Sequence, residues 1–225
     1  MRIIQGSLVV LLFCVGLSAA AAKVHIITFG KWTTVQWFTG SGTDEKPLTI
    51  KIRALIIDGR VKEYAVGAPH EVTEQLFVVR RVLRVNDSLP EDPGVRWQWQ
   101  RGGWLLVDCL TGRVSAINLP EFDVYYSAAS RYRDYVAYGG VGDDGKKTYA
   151  MVAQLSRRKP VLKKPLLNEV PEDAAPDSAC PAPPWQRSPV RVSFEPGSGG
   201  KQTFAIRGQV VDLVNDAEED EEGSK

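Results

Sequence analysis

Leu48-Thr49-Ile50-Lys51-Ile52-Arg53-Ala54-Leu55, followed closely by Asp58-Gly59, decides the fold class. Apolar and polar residues alternate, so positions 48, 50, 52 and 54 are expected on one face of an extended strand. Asp-Gly accepts positive φ at both centres of a tight turn, which makes it a hairpin signal. Arg60 to Val66 is then the returning strand.

The same period of two extends in both directions. Upstream lie Val24–Thr28 and Trp32–Phe38, the latter closed by Gly40-Ser41-Gly42-Thr43-Asp44. Downstream come Leu76–Val85, the breaker 86–94, Arg96–Gln100, Trp104–Cys109 and Arg113–Leu119, then Asp134–Tyr138 and Lys147–Leu155. These runs are rich in β-branched and aromatic residues and bounded by turn formers. Only Ser127–Arg133 has the makings of a helical turn. With 44% hydrophobic and 24% charged residues, the 225-residue chain fits neither a disordered protein nor a polytopic membrane protein.

The blocks 24–66, 76–119 and 122–165 each run about 43 residues, the length of a four-stranded propeller blade. Trp104-Leu105-Leu106-Val107-Asp108-Cys109-Leu110-Thr111-Gly112-Arg113 resembles the W-x-x-V-D-x-x-T-G-x segment of such blades. Gly142-Asp143-Asp144-Gly145-Lys146-Lys147-Thr148-Tyr149 is similar to the S-P-D-G-K-x-L-x turn of WD40-like and Tol-B-type blades, without its Ser-Pro. No Trp-Asp or Gly-His pair accompanies them. The resemblance spans about 60 residues, while propellers have about four to eight blades. The expected fold is all-β: antiparallel sheets of blade-like units, as an open or small propeller-like stack or a two-sheet sandwich.

Residues 1–22 read as a signal peptide. Arg2 precedes an apolar run that ends in Ala19-Ala20-Ala21-Ala22, so cleavage near Ala22 would export the chain to the periplasm or beyond, without a permanent anchor. Cys109 and Cys180 would then remain as an even pair in an oxidising compartment. A disulfide between them closes a loop of roughly 70 residues and would contribute about 4 kcal/mol. The alternative is two separate thiols.

The body is expected over 23–165. Seven of the fourteen prolines fall between Pro165 and Pro189, so 166–189 reads as an extended linker. Residues 190–214 read as a hairpin that docks on the body, since a lone hairpin is marginal in water. Residues 215–225 carry six acids against Lys225 and are expected to be disordered. Setting aside Arg2 and this tail, with a net −5, turns the total of +1 into about +5 for residues 23–215.

Chemistry-bearing motifs are scarce. His25 and His70 are the only histidines, and His70-Glu71 lacks the second histidine of a zinc helix. There is no nucleophile elbow, phosphate loop or dinucleotide fingerprint, so no metal, cofactor or catalytic residue is assigned. Asp58, Asp108, Asp134, Asp143 and Asp144 stand at turns or strand ends, where a carboxylate-based hydrolase of an envelope or extracellular polymer would place its acid and base. Turn hydrogen bonding accounts for them equally well.

The aromatic and basic residues point instead to binding. Six of the seven tyrosines lie within 125–149, beside Arg131 and Arg133. Tyr132, Tyr135 and Arg131 are candidate contacts, and Tyr135, Tyr138 and Tyr149 have packing between sheets as their alternative role. Trp97 and Trp99 are expected in the core. Arg157, Arg158, Lys159, Lys163 and Lys164 form a basic segment suited to an anionic envelope polymer, lipid or protein rather than nucleic acid. Its other reading is an edge strand kept soluble by charge. The acidic tail is placed to screen it. The sequence therefore reads as an exported, non-catalytic binding or scaffold module, with the hydrolase as its rival.

Overall fold

A computed structural model describes residues 24–37, 48–91, 93–143, 145–155, 157–166, 180–195, 200–208 and 210–214. The expected signal peptide, acidic tail, Asp144 and most of the Pro-rich connector lie outside these residues. The described chain is all-β, as its alternation implies, and its strands form three sheets.

The first sheet holds seven strands: β1 (Ile27–Phe29), β2 (Thr33–Trp37), β3 (Leu48–Ile57), β4 (Arg60–Thr73), β5 (Leu76–Asn86), β6 (Trp97–Asp108) and β7 (Arg113–Ile117). The Asp58-Gly59 hairpin joins β3 to β4 with φ of 51° and 76°, the positive values that this dipeptide tolerates. Strands β2 to β6 follow one another as neighbours, and a parallel pair, Trp37 with Trp99, closes β2 onto β6. The result is a five-stranded barrel, with β1 extending the β3 edge and β7 extending β6. The blocks 24–66 and 76–119 thus merge into one sheet, because β5 pairs along β4.

The barrel interior is filled by Leu55, Ile57, Ala65, Val79, Leu105 and Val107, with Phe29 and Phe77 packed beside them. Each of the larger aliphatic side chains contributes about 1.5–3 kcal/mol on full burial. Alternation along β3 is unbroken: Ile52 is buried on the expected face, whose Leu48 end is 43% exposed, while Leu55 and Ile57 on the opposite face enter the barrel. The register shift opposite Leu55 and Ile56 falls in β4, where Lys62 is the extra residue. Trp97 is not core: it is 52% exposed, and the Arg84 guanidinium sits 5.2 Å from its ring centroid.

The second sheet is the meander β8 (Ala129–Tyr132), β9 (Tyr135–Val141), β10 (Thr148–Gln154) and β11 (Leu162–Leu166). The helical turn expected at 127–133 is absent, since 129–132 pair as strand β8. This sheet is buried on both faces. Val136, Tyr138, Met151 and Ala153 pack towards the barrel's Trp104 and Ile117. Ala137, Ala150, Val152 and Leu162 pack on Val192, Phe194, Phe204 and Ile206 of the third sheet.

That third sheet is β12 (Trp185–Arg187), β13 (Val190–Phe194), β14 (Gln202–Arg207) and β15 (Val210–Val214). The C-terminal hairpin is therefore part of a four-stranded meander, and β12 forms inside the stretch read as linker. Docking on the body is direct, through the shared apolar layer. The architecture is a stack: barrel, middle sheet, outer sheet.

Candidate functional site

Alternation along β6 creates the site. Leu105 and Val107 enter the barrel, so Leu106 between them faces away from it, beside its cross-strand partner Ser115 on β7. Opposite, β10 ends at Gln154, and the β10–β11 connection turns back over the gap. Its course is fixed by backbone bonds from Leu155 N to Asp134 O (3.0 Å), Arg157 N to Gln154 O (2.9 Å) and Val161 N to Val152 O (2.7 Å). A groove of about 580 Å³ results between barrel and middle sheet. Leu106, Ile117, Leu119 and Ala153 make its apolar surface, Ser115, Asn118 and Gln154 supply polar atoms, and Arg157, Arg158 and Lys159 stand exposed on it.

No aspartate or glutamate lines this groove among the described residues. Three like charges on one short loop repel each other and attract anions, an effect that salt screens over about 8–10 Å. Gln154 is held in place by its Nε2, which donates to Asp134 Oδ2 at 2.7 Å. The arrangement suits an elongated anionic ligand with some apolar surface.

The other basic residues are not brought to the groove. Lys163 lies on β11, the edge of the middle sheet, where its ammonium donates to Glu121 and stands 4.5 Å from the Tyr149 ring centroid. The Glu121 bond holds Lys163 above the ordinary lysine range. Lys164 is exposed on the same strand, beside Pro165. Charge and proline on an edge strand oppose pairing with a second chain.

The tyrosine candidates are largely structural. The Tyr135 hydroxyl donates to Gly208 O at 2.7 Å and ties the outer sheet to the middle one. Tyr132 stacks on Trp185, with centroids 5.7 Å apart and planes 28° apart. Tyr138 is fully buried, and its hydroxyl donates to Pro120 O at 2.7 Å. Arg131 lies over the Trp104 ring, its guanidinium carbon 3.9 Å from the centroid.

Sequence reading passed over Arg80, which is buried on β5 and donates to Gly102 O and Val124 O. Its signal was an arginine pair inside the apolar run Leu76–Val85. An arginine inside such a run has to find carbonyl or aromatic partners across the sheet, and Arg80 finds both.

The remaining reactive residues are committed elsewhere. His25 Nδ1 donates to Asp58 Oδ2 at 2.9 Å, and Asp58 Oδ1 accepts from Ile26 N. Asp108 Oδ1 accepts from the backbone N–H groups of Leu110 and Thr111, and hydrogen bonds from Thr111 hold its carboxyl below the usual range. His70 Nε2 contacts Arg133 O at 2.8 Å and joins the barrel to the middle sheet.

Cys109 and Cys180 do not form the expected disulfide; both are free thiols. Cys109 follows β6 in the turn to β7, whereas Cys180 bridges to Ser127 and lies against Gly139 of the middle sheet. Burial raises both thiols, Cys180 to about 11, so neither is an activated nucleophile. Among the described residues no cluster of His, Cys, Asp or Glu is placed to hold a metal ion, and no helix is long and apolar enough to cross a membrane. Comparison with protein-family models, curated proteins and solved structures finds no match to this chain.

Proposed function

We propose that the chain is an exported, non-catalytic binding module whose groove holds a segment of an anionic envelope polymer. The observation that carries this reading is the trio Arg157, Arg158 and Lys159 over an apolar floor, with no carboxylate lining it among the described residues. The charged leader and alanine run of residues 1–22 support export. The four-stranded meanders β8–β11 and β12–β15 support the likeness to propeller blades as stacked scaffold units. Binding is preferred to hydrolysis because none of the described candidate aspartates, Asp58, Asp108, Asp134 and Asp143, lines the groove, and the first three are tied into turn or side-chain hydrogen bonds.

The test is salt-dependent retention of residues 23–225 on an immobilised acidic polysaccharide. Replacing all three groove cations (R157Q/R158Q/K159Q) is expected to weaken binding roughly 10- to 100-fold, from a loss of about 0.5–1 kcal/mol per exposed charge. Lys164→Gln, outside the groove, leaves retention near that of the parent. Equal elution of parent and triple variant refutes the reading. A second expected result concerns the acidic tail: deleting 216–225 raises the salt needed for elution, whereas unchanged elution shows that the tail does not screen the groove.

A further inference from the structure

We propose that Arg131, Arg80 and Trp104 form a second, separate site that binds one small inorganic anion at the junction of barrel and middle sheet. The site is built by register. Arg131 on edge strand β8 pairs with Val136, whose side chain packs on the barrel side of the middle sheet. Arg131 therefore projects across the junction, its guanidinium carbon over the Trp104 ring of β6 at 3.9 Å from the centroid. Arg80 on β5 is the cross-strand partner of Trp104, and its guanidinium carbon is 5.8 Å from the same ring centroid. One indole thus carries two guanidinium groups.

Donors are abundant here. Nε, Nη1 and Nη2 of Arg131 are all buried and have no hydrogen-bond partner among the described residues, and neither has Nε1 of Trp104. A guanidinium presents five N–H donors in a fixed plane, and the indole adds one more. Removing such a cation from water without an acceptor is strongly unfavourable. Burial and the neighbouring Arg80 lower Arg131 to about 9, which still leaves it cationic at neutral pH. Burial against Trp104 restricts the Arg131 side chain before any anion arrives, which lowers the ordering cost of binding.

The chemistry selects the ligand class. Planar N–H pairs on a guanidinium match oxyanions such as phosphate or sulfate, and a halide accepts from the same donors. The donors are buried between two sheets, which favours a small ion over a polymer chain. Arg131 does not line the polymer groove, so this site stands or falls independently of that reading.

The experiment is thermal unfolding and titration calorimetry on the full chain at constant ionic strength, with phosphate, sulfate and chloride exchanged for a bulky organic anion. The expected result is a rise in Tm that saturates at millimolar concentration, with heat that titrates to one anion per chain. Arg131→Met keeps a stem of similar reach without the donors. It is expected to abolish the saturable response while melting no lower than the parent in anion-poor buffer. Trp104→Phe keeps the ring without its N–H and weakens the response several-fold. Parallel anion responses in parent and Arg131→Met overturn the proposal. So does an absence of saturable heat with all three anions in the unaltered protein, a readout that needs no variant to fold.

Discussion

Tyr138→Ala is expected to destabilise the protein by about 3–5 kcal/mol, the cost of emptying a fully buried aromatic site. Tyr138 stands on β9 at the centre of the layer between barrel and middle sheet, among Val136, Met151 and Leu119. Its ring meets Phe122 edge-on at 5.3 Å, and its hydroxyl reaches the Pro120 carbonyl. Burial pushes the phenol well above its usual pKa, which favours the protonated, donating form. Tyr138→Phe keeps the volume and loses only the hydrogen bond, with an expected cost of about 1–3 kcal/mol. Urea unfolding midpoints of the two variants separate packing from hydrogen bonding. Equal losses would mean that the ring packs far less tightly than its burial implies.

Gly139→Ala is the second large expected effect. A Cβ at this position would stand 2.6 Å from Cys180 Cβ and 3.4 Å from its Cα, so backbone as well as side chain must give way. The surroundings are tied down: Ser127 Oγ donates to Gly139 O at 2.6 Å, and Ala128 N donates to Cys180 O at 2.9 Å. Overpacking of this kind costs about 1–3 kcal/mol. It is relieved locally when the Cys180 segment lifts away, so the buried thiol should become reactive to an alkylating reagent while the barrel stays folded. Cys180→Gly in the same chain removes the clash and should recover much of the loss. A Gly139→Ala variant with parental stability and a protected Cys180 would contradict this close approach.

The strands were legible in sequence because each is a local pattern. The β3–β4 hairpin needs nothing beyond alternation and Asp58-Gly59. Which strands share a sheet was not legible, because that depends on pairing between distant segments. Two blocks of matching length looked like two blades, yet the β4–β5 ladder joins them into one barrel. The bulge that Lys62 adds to β4 also lies outside any alternating template, and so does the burial of both faces of β3, Ile52 on one and Leu55 and Ile57 on the other. β12 was missed because a three-residue strand beside prolines carries almost no periodic signal.

The candidate site was half legible for the same reason. The charge of Arg157, Arg158 and Lys159 is written in one run, but the floor of Leu106, Ile117 and Ala153 comes from three strands brought together only by folding. Lys163 and Lys164 belong to the same run in sequence, yet the strand β11 carries them out of the groove and into an edge. Arg131 was singled out beside the tyrosines as a surface contact. The fold turns it inward, against a tryptophan 27 positions earlier in the chain.

The double-sided burial of the middle sheet has a geometric consequence. Ala137, Ala150, Ala153, Gly139 and Gly140 are small, and with layers on either side their size acts as a spacer gauge for the whole stack. Face-to-face sheets ordinarily stand about 10 Å apart, and a larger residue at Ala153 would wedge the barrel from β10. The width of the groove is thus governed from the middle sheet, by the Ala153 methyl in its floor and the small residues beside it.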